Sequence, residues 1–261
     1  MTQPTPRIAV IGGSGLYSLV DGAPETVATP YGDATVTIGE LGGTSVAFLP
    51  RHGSGHTVSP HLINYRANIW ALASLGVRAI VSSAAVGAVS PDYPPGTLVL
   101  TDQYVDRTSG RADTFYDGGS VQHLPSADPF CPVLHEVAVR ALGDDAAPSG
   151  TVVVIQGPRF STRAESTWFR AAGAHTVNMT LYPEVPLASE LNIGTINVSY
   201  VTDADAAPAD ERVSAELVFE RFAEAQPRIL AAIRALVAAI PDDYPGRELI
   251  DPAEVAAVLA R

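Results

Sequence analysis

Arg7-Ile-Ala-Val-Ile11 runs straight into Gly12-Gly13-Ser14-Gly15. A short apolar run broken by a glycine turn reads as a buried strand delivered to a tight connection. Working outward, residues 34–38 (ATVTI) and 45–49 (SVAFL) have strand composition, and 39–43 between them reads as a hairpin connection. Residues 64–75 carry Ile69, Trp70, Leu72 and Leu75 at helical spacing and stop at Gly76. Strands are expected again at 79–83, 97–101, 151–155 and 194–201, and helices over 163–172 and 182–191. Farther on, Leu217, Val218, Phe222, Ile229, Ile233, Leu236, Val237 and Ile240 trace an apolar helical stripe. A last helix is expected from Asp251, with Pro252 at its first position and Glu254 completing a capping box. Short apolar strands alternating with helices make an α/β domain with a largely buried sheet.

The 261 residues suffice for one large α/β unit or two small ones, and no linker divides them. With 46% hydrophobic residues the core is substantial, and a chain of this size removes roughly three quarters of its unfolded surface from water. Sixteen basic against 28 acidic residues give a formal charge of -12. Such a chain repels nucleic acid and acidic membrane surfaces. A small anion stays open to it, because backbone N–H groups and a few local arginines capture one without a basic surface. Cys131 is the only cysteine, which excludes an intramolecular disulfide and a thiolate zinc cluster. The N-terminus lacks a basic region followed by an apolar run, and no stretch reaches the ~18 apolar residues of a membrane span. The expectation is a soluble cytoplasmic protein.

Three segments could carry chemistry. Gly12-Gly13-Ser14-Gly15 presents backbone N–H groups and a hydroxyl, which favour an anion; a plain tight turn is the alternative. The dinucleotide fingerprint fails where Ser18 replaces its third glycine, and the serine-hydrolase elbow fails at Leu16. Arg51-His-Gly-Ser-Gly-His56 ends a predicted strand with two positively biased side chains. They make a phosphate clamp, the arginine through paired hydrogen bonds, or an ordinary polar loop. No acidic third ligand stands near His52 and His56, so no metal is expected. His61 and His123 are ambiguous, while His135 and His175 read as solvated or structural. Asp203-Ala-Asp205 follows an apolar strand, on the ligand side of an α/β sheet. A carboxyl there could serve a leaving base nitrogen, or simply begin a solvated turn.

Taken together, IGGSGLY at 11–17, RHGSGH at 51–56, DRTSGRADTFYDG at 106–118, QGPRFSTRAES at 156–166 and NMT at 178–180 resemble the trimeric purine nucleoside phosphorylases. Within that family they are most similar to the methylthioadenosine phosphorylases, and the helix around NYRANIWAL at 64–72 matches too. The likeness runs from about residue 7 to about 240. QGPRFSTRAES and NMT at their spacing are specific; the glycine loop is not.

The resemblance implies one domain over residues 1–261, with a central mixed, partly barrel-like sheet flanked by helices and a helical tail from about 241. It implies a pentosyltransferase that cleaves S-methyl-5'-thioadenosine with phosphate to adenine and 5-methylthioribose 1-phosphate, in purine and methionine salvage. Inorganic phosphate is then the co-substrate, with no cofactor, and the assembly a homotrimer. By the same likeness Ser14, Arg51, His52, Ala85 and Thr180 fall on phosphate positions. Phe160, Ser161, Asn178 and Met179 fall on ribose and base positions, and Asp203 and Asp205 on the catalytic pair that reads the base. His56, with His123 from a neighbouring subunit, falls on the 5'-substituent pocket. Relatives that prefer 6-oxopurines carry asparagine at the position of Asp203, so a carboxylate there favours 6-aminopurines. Ala84 departs from the pattern, standing where many relatives have a phosphate-binding threonine. The missing bond costs about 1.5–3 kcal/mol unless Ser82 or Ser83 supplies a hydroxyl. The alternatives are a phosphorylase for another 5'-deoxy or 5'-halo purine nucleoside, for methylthioinosine or for 6-oxopurine nucleosides, and a non-catalytic nucleoside-binding protein.

Overall fold

The computed structural model describes residues 5–204 and 214–261. Its centre is the strand that opens the sequence. β1 (Ile8–Gly12) lies parallel between β4 (Thr44–Pro50) and β5 (Ala79–Ala88) and is buried throughout. A strand covered on both faces needs apolar residues at every position, which is why it reads as an unbroken run. Beyond β4, β3 (Gly32–Leu41) and β2 (Pro24–Thr29) add antiparallel, with the turn between β3 and β4 at Gly42 and Gly43 in left-handed backbone. β2 was not expected: it is a largely exposed edge strand opened by a proline, and lacks the alternation that marks a half-buried one.

β5 decides the architecture. One of its edges pairs along the whole strand with β10 (Gly194–Ala204), which carries β6 (Leu98–Thr101) beyond it. Its other edge is shared: residues 79–82 pair with β1, then Gly87 and Ala88 pair antiparallel with β9 (Thr176–Asn178). β8 (Thr151–Ile155) and β7 (Gln103–Arg107) continue from β9, parallel to it and to each other. The mixed sheet forks at β5 and does not close into a ring of pairings. Among the described residues, 83–86 have no strand neighbour on the forked edge, and a cavity opens there.

Helices cover both faces. Ile8, Val10, Phe48 and Val81 pack with Leu134 of α2 (Pro132–Leu142) and with Phe222, Ile229, Ile233 and Leu236 of α5 (Ala215–Ala239). Ala9, Ile11, Leu49 and Ile80, one residue out of phase, pack with Ile69 and Leu72 of α1 (Tyr65–Ser74). The same layer takes Leu187 of α4 (Leu181–Glu190) and Val255 and Val258 of α6 (Pro252–Leu259). α3 (Arg163–Ala171) starts with a reciprocal capping box between Thr162 and Glu165. At α6 the expected box is replaced by a single cap, Asp251 accepting from the N–H of Ala253 at 2.8 Å. Asn64 caps α1 by accepting from the Ala67 N–H, and Ser214 caps α5 in the same way through Leu217.

Candidate functional site

The cavity at the fork of β5 has a volume of about 350 Å³. Its wall takes in Ser14, Arg51, His52, His56, Ala85, Phe160, Ser161, Asn178, Met179, Thr180 and Asp203, which stand far apart in the chain. His123 does not line it and sits exposed on the segment before α2. Asp205 lies outside the described residues.

One end of the cavity is built by the two glycine loops. Ser14 and Gly15 form a turn closed by the Leu16 N–H on the Gly13 carbonyl at 3.1 Å, with Gly15 at φ 79°. Gly13 lies so close to β5 that an added Cβ would meet the Ser83 carbonyl oxygen at 2.6 Å. In the second loop Gly53, Gly55 and His56 all take left-handed backbone. For His56 that costs about 1–2 kcal/mol and folds its ring back to 4.3 Å from that of His52.

Arg51 is 2% exposed and salt-bridged to Glu184 of α4. Its Nε and Nη2 donate to the two carboxylate oxygens at 2.6 and 2.8 Å, and Nη1 donates to the Ser83 carbonyl at 3.0 Å. Burial works against the charge, but Glu184 holds the guanidinium above its ordinary range. Three of the five guanidinium donors are thereby used, and an anion in the cavity meets only the Nη end. His52 is not the positively biased group its sequence position suggested. Burial first, then the Arg51 charge, push its ionisation down to about 4. Neither serine that could compensate for Ala84 is part of the cavity wall. Ser82 faces away, its Oγ accepting from Asn197 Nδ2 at 3.0 Å, and Ser83 Oγ accepts from the Gly13 N–H at 3.4 Å.

The other end depends on an irregularity in β10. Val201 pairs with Val86 and Asp203 with Gly87, so Thr202 is an extra residue. Such a bulge re-aims the side chain that follows it, and Asp203 joins the cavity wall although it is only 3% exposed. Thr202 Oγ1 donates to Asp203 Oδ1 at 2.7 Å, orienting the carboxyl. Ser161 Oγ and Asn178 Nδ2 are buried nearby with no hydrogen-bond partner among the described residues. Ala215, Val218 and Phe219 of α5 complete the wall, the Phe219 ring edge-on to His56 at 4.9 Å.

Behind the wall stand residues that sequence reading missed. Arg111 donates to the carbonyls of Gln156 and Met179, both at 2.9 Å, and to that of Tyr182, tying the segment before Phe160 to the one after Asn178. Glu190 accepts from Thr114 Oγ1 and the Phe115 N–H, both at 2.7 Å, while burial holds its carboxyl above the usual range. The segment 106–118 thus braces the cavity rather than lining it. His135 and His175 bond main chain, at Pro148 and Thr151. Among the described residues, no group of three or more His, Cys, Asp and Glu could hold a metal. No helix there is long and apolar enough to cross a membrane.

A donor-lined polar end and a carboxylate-bearing end share one cavity at the fork of a mixed α/β sheet. The chain belongs to the phosphorylase superfamily, whose family model matches residues 7–238. It is 46% identical to the S-methyl-5'-thioadenosine phosphorylase of Thermofilum pendens, over 91% of this chain and 93% of that one. It is 47% identical to the purine nucleoside phosphorylase of Streptomyces coelicolor, over 90% and 89%. Among solved structures, the methylthioadenosine phosphorylase of Schistosoma mansoni in complex with adenine superposes with a TM-score of 0.87 at 33% identity, over 98% of this chain and 96% of that one.

Proposed function

We propose that this chain is a pentosyltransferase that cleaves S-methyl-5'-thioadenosine with inorganic phosphate, giving adenine and 5-methylthioribose 1-phosphate. The observation that carries this reading is the bulge at Thr202, which puts the Asp203 carboxyl in the same cavity as Ser14, Arg51 and Thr180. In the reaction, positive charge grows on the sugar and negative charge on the departing purine. Phosphate held by Ser14, Arg51, His52, Thr180 and the Ala85 backbone stabilises the cationic sugar and attacks its anomeric carbon. Asp203 serves the purine as general acid or as the partner of protonated N7, with Asp205 assigned beside it from the family pattern. Met179 packs under the ribose, and Phe160, Ser161 and Asn178 bound the base. Placement of charge and orientation supply most of the rate, with no cofactor or metal.

His56, Val218, Phe219 and Ala215 offer the 5' position a mostly apolar wall, which suits a methylthio group better than a hydroxyl. One domain does this work, and residues 241–261 brace it: Trp70 Nε1 donates to the Val258 carbonyl at 3.1 Å. The enzyme is cytoplasmic and homotrimeric, His123 reaching the 5' pocket of a neighbouring subunit. Exposed Leu62 and Val121 suit a subunit contact, and sedimentation equilibrium is expected at the three-chain mass; a monomer at working concentration removes the shared pocket. Release of adenine from methylthioadenosine is the direct test, run with and without phosphate and against methylthioinosine. Fast, phosphate-dependent release from the amino substrate is expected. Release independent of phosphate, or preference for the 6-oxo substrate, refutes the assignment.

A further inference from the structure

We propose that His52 selects the anion by its proton: its Nε2 accepts a hydrogen bond from the P–OH of hydrogen phosphate, and so disfavours sulfate, which has none. The inference rests on the reading of Ser14, Arg51, His52 and Thr180 as the phosphate end of the cavity.

The tautomer follows from geometry. His52 Nδ1 lies 2.9 Å from the Val58 carbonyl oxygen. A carbonyl only accepts, so Nδ1 carries the hydrogen and donates it. An uncharged imidazole has one N–H, and Nε2 therefore presents a lone pair. The ring is kept uncharged by its place in the fold: it is 4% exposed, follows Arg51 directly and stacks on His56. Among the described residues no group bonds Nε2, and His52 is part of the cavity wall.

Charge alone cannot choose between anions here. Glu184 balances Arg51 at bonding distance, His52 is uncharged, and the whole chain carries -12. Hydrogen phosphate and sulfate are tetrahedral dianions of similar size, and differ chiefly in one O–H. With hydrogen phosphate every partner is matched: Ser14, Thr180, the Nη end of Arg51 and backbone N–H groups donate, while Nε2 accepts. With sulfate an oxygen lone pair faces the Nε2 lone pair in a buried wall. An acceptor left unmatched in this way weakens binding by about ten- to a hundredfold.

The test is calorimetric titration of the purified protein with phosphate and with sulfate, at mildly alkaline pH and matched ionic strength, where both anions are dianions. Phosphate is expected to bind about ten- to a hundredfold more tightly. His52→Gln, whose amide can turn an N–H toward the anion, is expected to narrow the gap to about threefold, chiefly by gaining sulfate affinity. Equal affinities in the unaltered protein, or a gap that His52→Gln leaves unchanged, overturn the proposal. Arg51→Met separates the two levels of the argument. If it leaves phosphate affinity unchanged, the anion binds elsewhere and the phosphate-end reading falls with the proposal. If it abolishes phosphate binding in a variant that keeps the circular dichroism of the unaltered protein, while the unaltered protein fails to discriminate, the site stands and only the selection by His52 is lost. A nitrogen-15 spectrum of the unaltered protein needs no substitution. His52 Nε2 should resonate as an unprotonated nitrogen and move on addition of phosphate but not of sulfate; a protonated Nε2 overturns the proposal.

Discussion

Glu184→Ala is expected to lower the unfolding free energy by about 3–5 kcal/mol, because it strands the charge of Arg51 in a wall closed to water. Both side chains of the pair are almost wholly buried, at 1% and 4% exposure, and two short charge-assisted bonds join them. Among the described residues Arg51 has one other hydrogen-bond partner, the Ser83 carbonyl, which cannot replace a full negative charge. Urea unfolding in phosphate-free buffer measures the loss, and a change below about 1 kcal/mol would mean that Arg51 finds water or another partner. Phosphate added to the variant should restore part of the stability, since a ligand that binds only the folded state stabilises it by mass action. In the unaltered protein the same pair holds the guanidinium still. Arg51→Ala accordingly costs twice: Glu184 is left buried and unpaired, and the phosphate requirement rises.

That pair also marks where sequence reading stopped. Arg51 and His52 were legible, because a basic pair among glycines at the end of an apolar strand is an uncommon pattern. Glu184 was not, since it sits in the largely apolar run of α4 and nothing local says that a carboxylate there is buried against a residue 133 positions away. The same division runs through the fold. β1 with its glycine turn could be read directly, and the buried strand and the tight connection follow from residue type alone. β9 could not, being three residues whose pairing is set by the fork of β5. α2 lies outside the sequence expectation although its signals are ordinary ones: Pro132 at its start, Gly143 at its end, and Leu134, Ala138 and Leu142 at spacings of four. The charge state of His52 is not legible in the sequence, because its lowered ionisation comes from burial beside Arg51, a property of the packed loop and not of the loop's composition.

Asp203→Asn is expected to reduce kcat/KM for methylthioadenosine by about two to three powers of ten, the usual contribution of a positioned proton donor or acceptor. Position 203 was found from the sequence as a carboxylate after a strand, but its aim into the cavity comes from the extra residue at Thr202. The substitution keeps that aim. Thr202 Oγ1, now 2.7 Å from Asp203 Oδ1, can donate equally to an amide oxygen, which turns the amide nitrogen toward the base. A nitrogen donor there can no longer accept from a 6-amino group or share a proton with N7, yet it can donate to a 6-oxo group. Turnover should therefore fall for the amino substrate and hold or rise for methylthioinosine, so that the preference between them narrows or reverses. Initial rates with both substrates, at saturating phosphate, measure it. A uniform loss on both would make Asp203 a structural support of β10, while unchanged turnover of methylthioadenosine would remove it from the chemistry. A reversal, by contrast, would show one side chain on one bulge setting which purine the cavity accepts, with the phosphate end left as it is.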